Sequence, residues 1–415
     1  MKKFHLNFKK FLKKPLESST ELKEIKRAEK KVEVKNIETG RLKCIDALRG
    51  MAIALMLLGD NPGNPDKIYP QLRHSKWNGC TAIDLAFPFF IIIMGMVVPY
   101  TLNKRIAKGE RPLKIFIHIL VRSVEIFVLG LFLNGFPLYD LSSIRILGVL
   151  QRIAICYFMV SSLTLLILYF INNKLIQTAI QLVLAFTIII SYYLLLKNIT
   201  VPWGGKGILA QEGNLVQYID LKFLKGHLYI KNWDPEGILS TLPAIASALF
   251  GAVTGQILTY PTNKKIYKLL SVLAFGIIIA KIALLTQSSM PFNKNLWSSS
   301  FVLLTAGMAA ILIAVLYFIM DIIKYDSIFK PFVFLGSSSI FVYLVSEIIR
   351  KTLWVIPVVD SVTKKSVTLN VWITNNYIAP WSGNFLDSFY FSVIYVVLWI
   401  VIMSGLYNKK NFMKL

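Results

Sequence analysis

The sequence predicts an all-α, polytopic integral membrane protein with about ten transmembrane helices and both termini in the cytoplasm. Of its 415 residues, 55% are hydrophobic and only 16% are charged, and the mean hydropathy is +0.59. A soluble chain carries about 25% charged residues and rarely contains apolar runs of about 18 residues. These observations exclude the soluble class.

Ten segments are long and apolar enough to cross a membrane. A hydrocarbon core about 30 Å thick requires roughly 20 residues in a helix. The segments lie at about 44–60, 80–102, 113–134, 145–171, 175–196, 238–259, 266–286, 298–323, 331–351 and 386–407. An even number of spans places both termini on the same side of the membrane.

The charge distribution indicates which side that is. The net charge is +24, and residues 1–43 contribute 14 basic residues against six glutamates. This basic arm, the turn at 104–111, Lys264-Lys265 and the tail at 408–415 fall on one side, which the positive-inside rule makes cytoplasmic. The arm lacks the apolar core of a secretory signal. It is either an amphipathic element on an anionic membrane face or a solvated tail.

The connectors on the opposite side differ in composition. They are longer and richer in Trp, Asn, Gly and Pro, and they lie at 61–79, 197–237, 287–297 and 352–385. We therefore expect the chemistry of the protein on this outer face.

The three cysteines do not have the spacing of a metal site or a disulfide framework. Cys44, Cys80 and Cys156 are odd in number, far apart, and inside or at the edge of apolar segments. We expect them to pack as small hydrophobic residues, and we expect no metal cofactor.

Ionisable residues inside a span cost about 2.5–3.5 kcal/mol on insertion scales, so each is expected to be paired or functional. Asp46 and Arg49 are three residues apart in the first span and can pair, either as an interfacial anchor or as part of a site. His118, Arg122 and Glu125 share one face of the third span. There we expect a polar stripe at a helix contact.

Arg145 and Arg152 lie two helical turns apart at the start of the fourth span and point in the same direction. The guanidinium fork matches phosphate well. Spacing leaves two partners open, namely a phosphate or a carboxylate from a distant part of the chain. Asp84 in the second span and Glu347 in the ninth are further acidic residues to consider.

His74 is the histidine that lies in the loop before the second span. It precedes Ser-Lys-Trp-Asn-Gly, and Asp84 follows ten residues later. A helix that starts near Asn78 or Gly79 would bring Asp84 beneath this loop. The acid would then fix the tautomer of the imidazole and raise its basicity. The spacing also allows a loop histidine with satisfied hydrogen bonds and no catalytic role.

Six segments carry a resemblance to a known family. They are RLKCIDALRG (41–50), HSKWNGCTAIDLAFPFFIIIMG (74–95), IRILGVLQRIA (144–154), DPEGILSTLP (234–243), NKNLWSSSFVLLTAG (293–307) and FLGSSSIFVY (334–343). In this order they resemble the transmembrane acyltransferases related to lysosomal heparan-α-glucosaminide N-acetyltransferase, including the bacterial homologues. The resemblance extends from about residue 41 to the end of the last span.

The resemblance implies an acyltransferase domain over 44–407. It also implies that acetyl-CoA, supplied from the cytoplasm, donates its acetyl group to the amine of a terminal glucosamine-type sugar on the opposite side. The family's catalytic histidine, directly before the WNG segment, is His74 here, and an asparagine at the end of the first span is Asn61. We assign His74 as general base, Asp84 as the acid that orients it, and Asn61 as a donor to the acetyl carbonyl or oxyanion. Direct transfer and an acetyl-histidine intermediate are both open.

Further residues are expected to bind the two substrates and to define the partners. The candidates for acetyl-CoA are Arg145, Arg152, Arg49 and Asp46, and those for the sugar are Trp77, Asn78, Asp234, Glu236, Asn293, Asn295 and Trp297. We expect a homodimer in the bacterial inner (plasma) membrane and no nucleic-acid partner.

The position of the candidate base distinguishes this chain from a wider group of acyltransferases. The wider acyltransferase-3 group carries its histidine eleven residues after the arginine of an Asp-x-Leu-Arg-Gly turn, where this chain has Asp60. The base is therefore expected elsewhere, at His74. We expect no counterpart of the additional N-terminal span and luminal segment of the animal enzyme, and this expectation leaves heparan open as the acceptor. The rival function is a multi-pass transporter of a sugar or small anionic solute, because transporters also carry charges within their spans.

Overall fold

The computed structural model describes residues 42–262, 264–360, 365–383 and 386–408, and helices dominate it. The α-helices are α1 Lys43–Asp60, α2 Ala86–Ala107, α3 Pro112–Gly135, α4 Val149–Phe170, α5 Lys174–Asn198, α6 Leu215–Leu224, α7 Thr241–Leu258, α8 Lys265–Thr286, α9 Ser299–Leu316, α10 Lys330–Ser337, α11 Ser339–Val355, α12 Leu369–Ile373, α13 Ala379–Ser382 and α14 Asp387–Asn408. Two antiparallel hairpins are formed by β1 Thr200–Val201 with β2 Gly205–Lys206 and by β3 Pro357–Val359 with β4 Ser366–Thr368. The predicted arm up to residue 41 and the tail from 409 lie outside the described residues.

Within the described part of the chain, eight helices are long and apolar enough to cross a membrane. They are α2 with its preceding turn, α3, α4, α5, α7, α8, α9 with its π-helical continuation, and α14. The pair α10 and α11 qualifies together as a ninth. Helix α1, 18 residues long, coincides with the first predicted span but contains four charged residues. The predicted all-α, polytopic membrane architecture is confirmed.

The ninth predicted span is not one continuous helix. The sequence predicted a single helix over 331–351, whereas α10 and α11 meet at a bend of 72°. Ser338, at the bend, has φ −139° and ψ 49°, outside the helical region. The run from Gly336 to Ser339 explains the break, because glycine has a low helix propensity and serine hydroxyls compete for nearby backbone groups. The Ser337 hydroxyl donates to the Phe334 carbonyl at 2.7 Å.

Helices α2 and α7 form the centre of the bundle. The apolar window of α7 is 89% buried and that of α2 is 72% buried, against 28% in each of α3, α5, α8 and α14. The two central helices approach backbone to backbone. A Cβ on Gly251 would lie 2.0 Å from the carbonyl oxygen of Ile92, and a Cβ on Gly95 would lie 2.0 Å from that of Ala248. Small residues permit this close approach in membrane bundles.

The connectors predicted to lie outside pack on one another at a single end of the bundle, which we call the outer end. The Gly79 N–H donates to the Phe292 carbonyl at 2.8 Å. The Trp77 indole N–H donates to the Leu209 carbonyl at 2.9 Å. Contacts between distant loops thus hold the His74 loop over the helix ends.

Candidate active site

A cavity of about 890 Å³ opens at the outer end. Its wall is formed by the last turns of α1 and α3, the first residue of α4, one face of α11 and the outer loops. Charged residues in the wall include Asp60, His74, Asp84, Arg145, Glu236, Lys294, Glu347 and Arg350. Pockets for small molecules measure about 300–1,000 Å³, so this cavity can hold a sugar together with part of a second ligand.

His74 and Asp84 form a hydrogen-bonded pair in this wall. The Nδ1 atom of His74 lies 2.7 Å from Oδ1 of Asp84. The Asp84 side chain is 1% exposed, whereas that of His74 is 45% exposed. Because a carboxylate only accepts hydrogen bonds, Nδ1 is the donor in this contact, and in a neutral imidazole the lone pair is then on Nε2. The contact expected from the spacing is present, and it leaves one imidazole nitrogen able to accept a proton.

The loop that carries His74 also holds Asp84. The second carboxylate oxygen of Asp84 accepts from the Ser75 N–H at 3.2 Å and from both the N–H and the hydroxyl of Thr81 at 3.0 Å. Asp84 lies in the 3₁₀ turn Ile83–Leu85, which leads into α2. The second span therefore begins later than the predicted residue 80. These donors compensate the carboxylate for its lost hydration.

Lys294 completes this group, although the sequence did not single it out. Its Nζ atom lies 3.2 Å from Nδ1 of His74 and 3.7 Å from Oδ1 of Asp84. The turn between α8 and α9 brings it there across 220 residues of sequence. Its one distinguishing feature in the sequence was its position between Asn293 and Asn295, which were both predicted to bind the sugar.

Arg145 has carboxylate partners rather than a free guanidinium. Its Nε and Nη2 atoms donate to Asp234 at 2.9 and 2.6 Å, and Nη2 also contacts Glu236 at 2.5 Å. The guanidinium also lies over the Tyr229 ring, 4.6 Å from its centroid. Of the two alternatives that the spacing left open, the structure contains the carboxylate pairing. This weighs against the expected role of Arg145 as a phosphate ligand.

Burial and charge act in opposite directions on this cluster. Burial by itself lowers the pKa of Arg145, but the charges of Glu236 and Asp234 outweigh it and raise that pKa. Burial raises the pKa of Asp234 in spite of Arg145, whereas the pKa of Glu236 is lowered because the nearby cations outweigh its burial. Two carboxylates share one guanidinium here, so the cluster has no excess positive charge that could bind an anion.

Arg152 lies deeper and outside the cavity wall. It is 1% exposed, and Nη2 donates to the Gly237 carbonyl at 3.3 Å and to the Ser240 hydroxyl. Its guanidinium lies 4.9 Å from the ring centroid of Trp297. Both arginines do point to the same region, as predicted, but that region is the loop 234–240. Because the guanidinium of Arg152 is buried, it cannot make the expected contact with CoA phosphates in this conformation.

Asp46 and Arg49 lie at the opposite end of α1 from the cavity. The Arg49 guanidinium is 3.4 Å from Asp46 and donates to the Gly336 carbonyl at 3.4 Å. The pairing allowed by their spacing is therefore present. Their expected role at the nucleotide end of acetyl-CoA stays a prediction.

Several residues expected to bind the sugar instead support the loops. The Asn293 amide donates to Asn78 at 3.1 Å, which joins two outer connectors. Trp77 packs edge-to-face on Trp233, with ring centroids 5.0 Å apart. Asn295 lies in the cavity wall.

Trp297 is a core residue in the structure, not part of the cavity wall. It is 0% exposed and its indole N–H donates to Ser247 at 3.1 Å. The ring also contacts Phe87 edge-to-face. Its large apolar surface is buried between helices, and the expectation that it touches the sugar is therefore not met in this geometry.

Asn61 is directed away from the cavity. It is 3% exposed and its amide donates to the Leu57 carbonyl at 3.0 Å, at the end of its own helix. The residues on either side, Asp60 and Pro62, do line the wall. A donor role for Asn61 requires its amide to leave Leu57, and that role stays a prediction.

The polar stripe of the third span has only one of its members at a helix contact. Arg122 lies over the Tyr157 ring of α4, 5.6 Å from its centroid, whereas His118 and Glu125 are exposed on the outside of α3. Among the described residues, the three cysteines are free thiols and no cluster of metal ligands is found.

Comparison with known proteins gives two related curated sequences and no matching family model. Heparan-α-glucosaminide N-acetyltransferase of Mus musculus is 28% identical over 433 residues, covering 92% of this chain and 62% of the mouse protein. The Homo sapiens protein of the same name is 28% identical over 425 residues, covering 90% of this chain and 60% of its own length. The expected resemblance to heparan-α-glucosaminide N-acetyltransferases is confirmed. The chain spans about three fifths of the length of these relatives.

The motifs that resemble the N-acetyltransferase family converge on the cavity. Five of the six segments contribute a residue to its wall: His74, Arg145, Glu236, Lys294 and Tyr343. These segments are scattered over some 270 residues of sequence. The first segment, which contains Asp46 and Arg49, is the exception.

Proposed function

We propose that the protein is a membrane-bound acetyltransferase. It moves an acetyl group from cytoplasmic acetyl-CoA to the amine of a terminal glucosamine-type sugar on the extracytoplasmic side. The mouse and human relatives are named for acetyl transfer to a heparan α-glucosaminide. The observation that carries the proposal is the 2.7 Å contact between His74 and Asp84 in the wall of an 890 Å³ cavity. Such a positioned base is what amine acetylation requires.

In the proposed reaction His74 is the general base. The amine nitrogen attacks the thioester carbonyl carbon, and Nε2 of His74 takes a proton from that nitrogen. The C–S bond then breaks, and the sulfur of CoA takes the proton from the imidazolium. The products are the N-acetyl sugar and free CoA, and the histidine returns to its neutral form. Asp84 stabilises the transient positive charge on the ring.

Lys294 is the positive group best placed for the oxyanion of the tetrahedral intermediate. Its side chain is 16% exposed and lies beside the His74–Asp84 pair. A fixed cation in a partly dehydrated site stabilises developing negative charge more strongly than it would in water. The Asn61 amide, by contrast, donates a hydrogen bond to the Leu57 carbonyl.

The donor is proposed to reach the site through the helices. Acetyl-CoA carries several negative charges and cannot cross a hydrocarbon core unaided, so only its pantetheine arm would enter the bundle. A small apolar cavity of about 10 Å³ adjoins the large one and shares Met56, Val149 and Tyr343 with it. It extends to Ile53 and Ile340, in the direction of the opposite end of α1. It is barely large enough for one water molecule, so the helices must separate to admit the arm.

The location of the charged groups favours this reaction over solute transport. A secondary transporter binds its substrate near the middle of the bilayer, between broken helices. Here the charged residues of the wall lie in outer loops or near the outer ends of helices, except for Glu347 in the middle of α11. This arrangement suits chemistry at one face of the membrane.

Sealed right-side-out vesicles test the proposal and its sidedness together. With acetyl-labelled acetyl-CoA loaded inside and glucosamine added outside, labelled N-acetylglucosamine should form outside while CoA stays inside. Activity that depends only on external acetyl-CoA would disprove the threading of the donor. Entry of unmodified sugar without acetylation would point to the transporter. The homodimer and the bacterial inner membrane belong to the same proposal, and the mass of the purified particle in detergent tests the former.

A further inference from the structure

The carboxylate of Asp60 lies in the cavity wall without a partner. Asp60 is the last residue of α1, and it forms no hydrogen bond or ion pair with any residue that the structure describes. A carboxylate in a partly dehydrated site is costly unless it is paired. The missing partner is therefore a group that enters from the cavity.

Two cations lie close enough to act on Asp60, but other carboxylates hold both. Arg350 forms a bidentate ion pair with Glu347, in which Nη2 and Nε donate to the two carboxylate oxygens at 2.6 and 3.0 Å. Lys294 lies 3.7 Å from Asp84. Neither cation forms an ion pair with Asp60.

Two further cations of the wall have partners of their own. Lys351 keeps its positive charge, but its Nζ atom is directed to backbone carbonyls at the end of α3 at 2.5 and 3.2 Å. Arg145 is bound by Asp234 and Glu236. A carboxylate in the wall that none of these cations contacts is a place where a cationic ligand can bind.

We propose that Asp60 binds the protonated amine of the acceptor sugar and thereby selects amino sugars over neutral sugars. This inference rests on the proposed function and names the group that recognises its substrate class. An ammonium and a carboxylate form a charge-assisted hydrogen bond. A site built around such a bond discriminates strongly against an analogue that lacks the charged group, because its own charge is then left unpaired.

Asp60 also places the nitrogen near the base. The electrostatic influence of His74 reaches Asp60, and both residues line the same cavity. The bound ammonium first releases one proton to water and becomes a nucleophile. After the nitrogen attacks the thioester, Nε2 of His74 takes a second proton from it, and this proton passes to the sulfur of CoA. The balance is one ammonium and one thioester giving one amide, one thiol and one proton.

The test compares Asp60→Asn, which removes the charge and keeps the shape, with Asp140→Asn. Asp140 is also in the cavity wall, but hydroxyls of Ser142 and Ser143 already satisfy its carboxylate at 2.7 and 2.6 Å. Calorimetric titration of the purified protein with glucosamine and with glucose gives the affinity ratio of the two sugars. Steady-state rates give KM for glucosamine and for acetyl-CoA.

Asp60→Asn should raise KM for glucosamine about 10- to 100-fold and reduce the preference for glucosamine over glucose by the same factor. The KM for acetyl-CoA and the affinity for glucose should change less than about twofold, and Asp140→Asn should behave as the wild type. If Asp60→Asn fails to fold, Asp60→Glu should fold and retain the preference for glucosamine.

Two outcomes would overturn the inference. One is an unchanged sugar preference in Asp60→Asn, and the other is a loss confined to kcat, which would make Asp60 a second base. A wild-type protein that acetylates no amino sugar would instead overturn the proposed function itself. The failures of the two proposals are therefore distinguishable.

Discussion

The imidazole Nδ1 of His74 lies 2.7 Å from the buried carboxylate of Asp84, ten residues further along the chain. The other oxygen of Asp84 accepts hydrogen bonds from both ends of the loop between them, at Ser75 and Thr81. The base and the acid therefore form one unit with the loop. These hydrogen bonds hold the imidazole and the carboxylate in a fixed relation to each other.

The first prediction is that His74→Ala lowers acetyl transfer by about 10²–10⁴-fold, because general-base catalysis supplies a factor of this size. Affinity for CoA should be unchanged, and rates with acetyl-CoA and glucosamine measure the loss. His227→Ala is the matched control, since His227 is another outer-loop histidine and its ring Nδ1 lies 2.8 Å from the Ile144 carbonyl oxygen. Near-normal turnover of His74→Ala would remove His74 from the mechanism.

The second prediction is that Arg145→Met destabilises the protein without weakening acetyl-CoA binding. The substitution leaves Asp234 and Glu236 buried without their cation, and breaking a buried ion pair in this way costs about 3–5 kcal/mol. The thermal unfolding midpoint in detergent should fall, whereas Arg111→Met, at an exposed helix start, should leave it unchanged. A stable Arg145→Met protein with a raised KM for acetyl-CoA would restore the phosphate role.

The third prediction concerns the path of the pantetheine arm. Ile340→Trp should raise KM for acetyl-CoA by about tenfold or more, because the ring is larger than the small cavity next to Met56 and Tyr343 and blocks the path that the helices must open for the arm. KM for glucosamine should be unaffected. Val315→Trp, at a position 45% exposed on the outside of α9, is the control. Equal effects of the two substitutions on acetyl-CoA would argue against this path.

The fourth prediction is a pH dependence of stability from Asp220. Burial raises the pKa of Asp220 to about 7, with a contribution from the charge of Asp234 and opposition from the Ile238 N–H. An unfolded aspartate titrates near 3.9. Between about pH 4 and pH 7 the folded state therefore binds more protons, so this contribution to stability falls as pH rises and levels off above about pH 7.

Asp220→Asn should remove this loss of folding stability with rising pH. Thermal unfolding from pH 5 to pH 8 should show the variant gaining stability relative to the wild type as pH rises to about 7. Asp66→Asn, at an exposed site, should follow the wild type at every pH. Parallel curves for Asp220→Asn and the wild type would show that Asp220 is charged throughout this range.

The fifth prediction tests the central helix contact. Gly251→Val should prevent α2 and α7 from packing, because a Cβ there would lie 2.0 Å from the Ile92 carbonyl oxygen. We expect loss of the monodisperse, folded protein in detergent. Gly405→Val is the same substitution in a helix where a Cβ meets nothing within 4 Å, and it should be tolerated. A stable Gly251→Val protein would mean that these helices can separate at little cost.

The sequence alone determined the class of the protein and most of its helical segments, and it selected the histidine of the candidate site. Apolar runs of about 20 residues can satisfy their backbone groups in lipid as helices, so hydropathy locates the spans without knowledge of their neighbours. His74 was found because Trp-Asn-Gly directly follows Ser75 and Lys76 in a recognisable local motif. Its partner Asp84 was also within local reach.

Only the tertiary structure decided which charged groups meet. Arg145 and Asp234 are 89 residues apart, and Lys294 reaches His74 across 220 residues. Side-chain charge alone does not specify a partner, because helix packing determines which helix ends share a cavity. For the same reason Asp60, and not its neighbour Asn61, proved to be the polar side chain that α1 presents to the cavity.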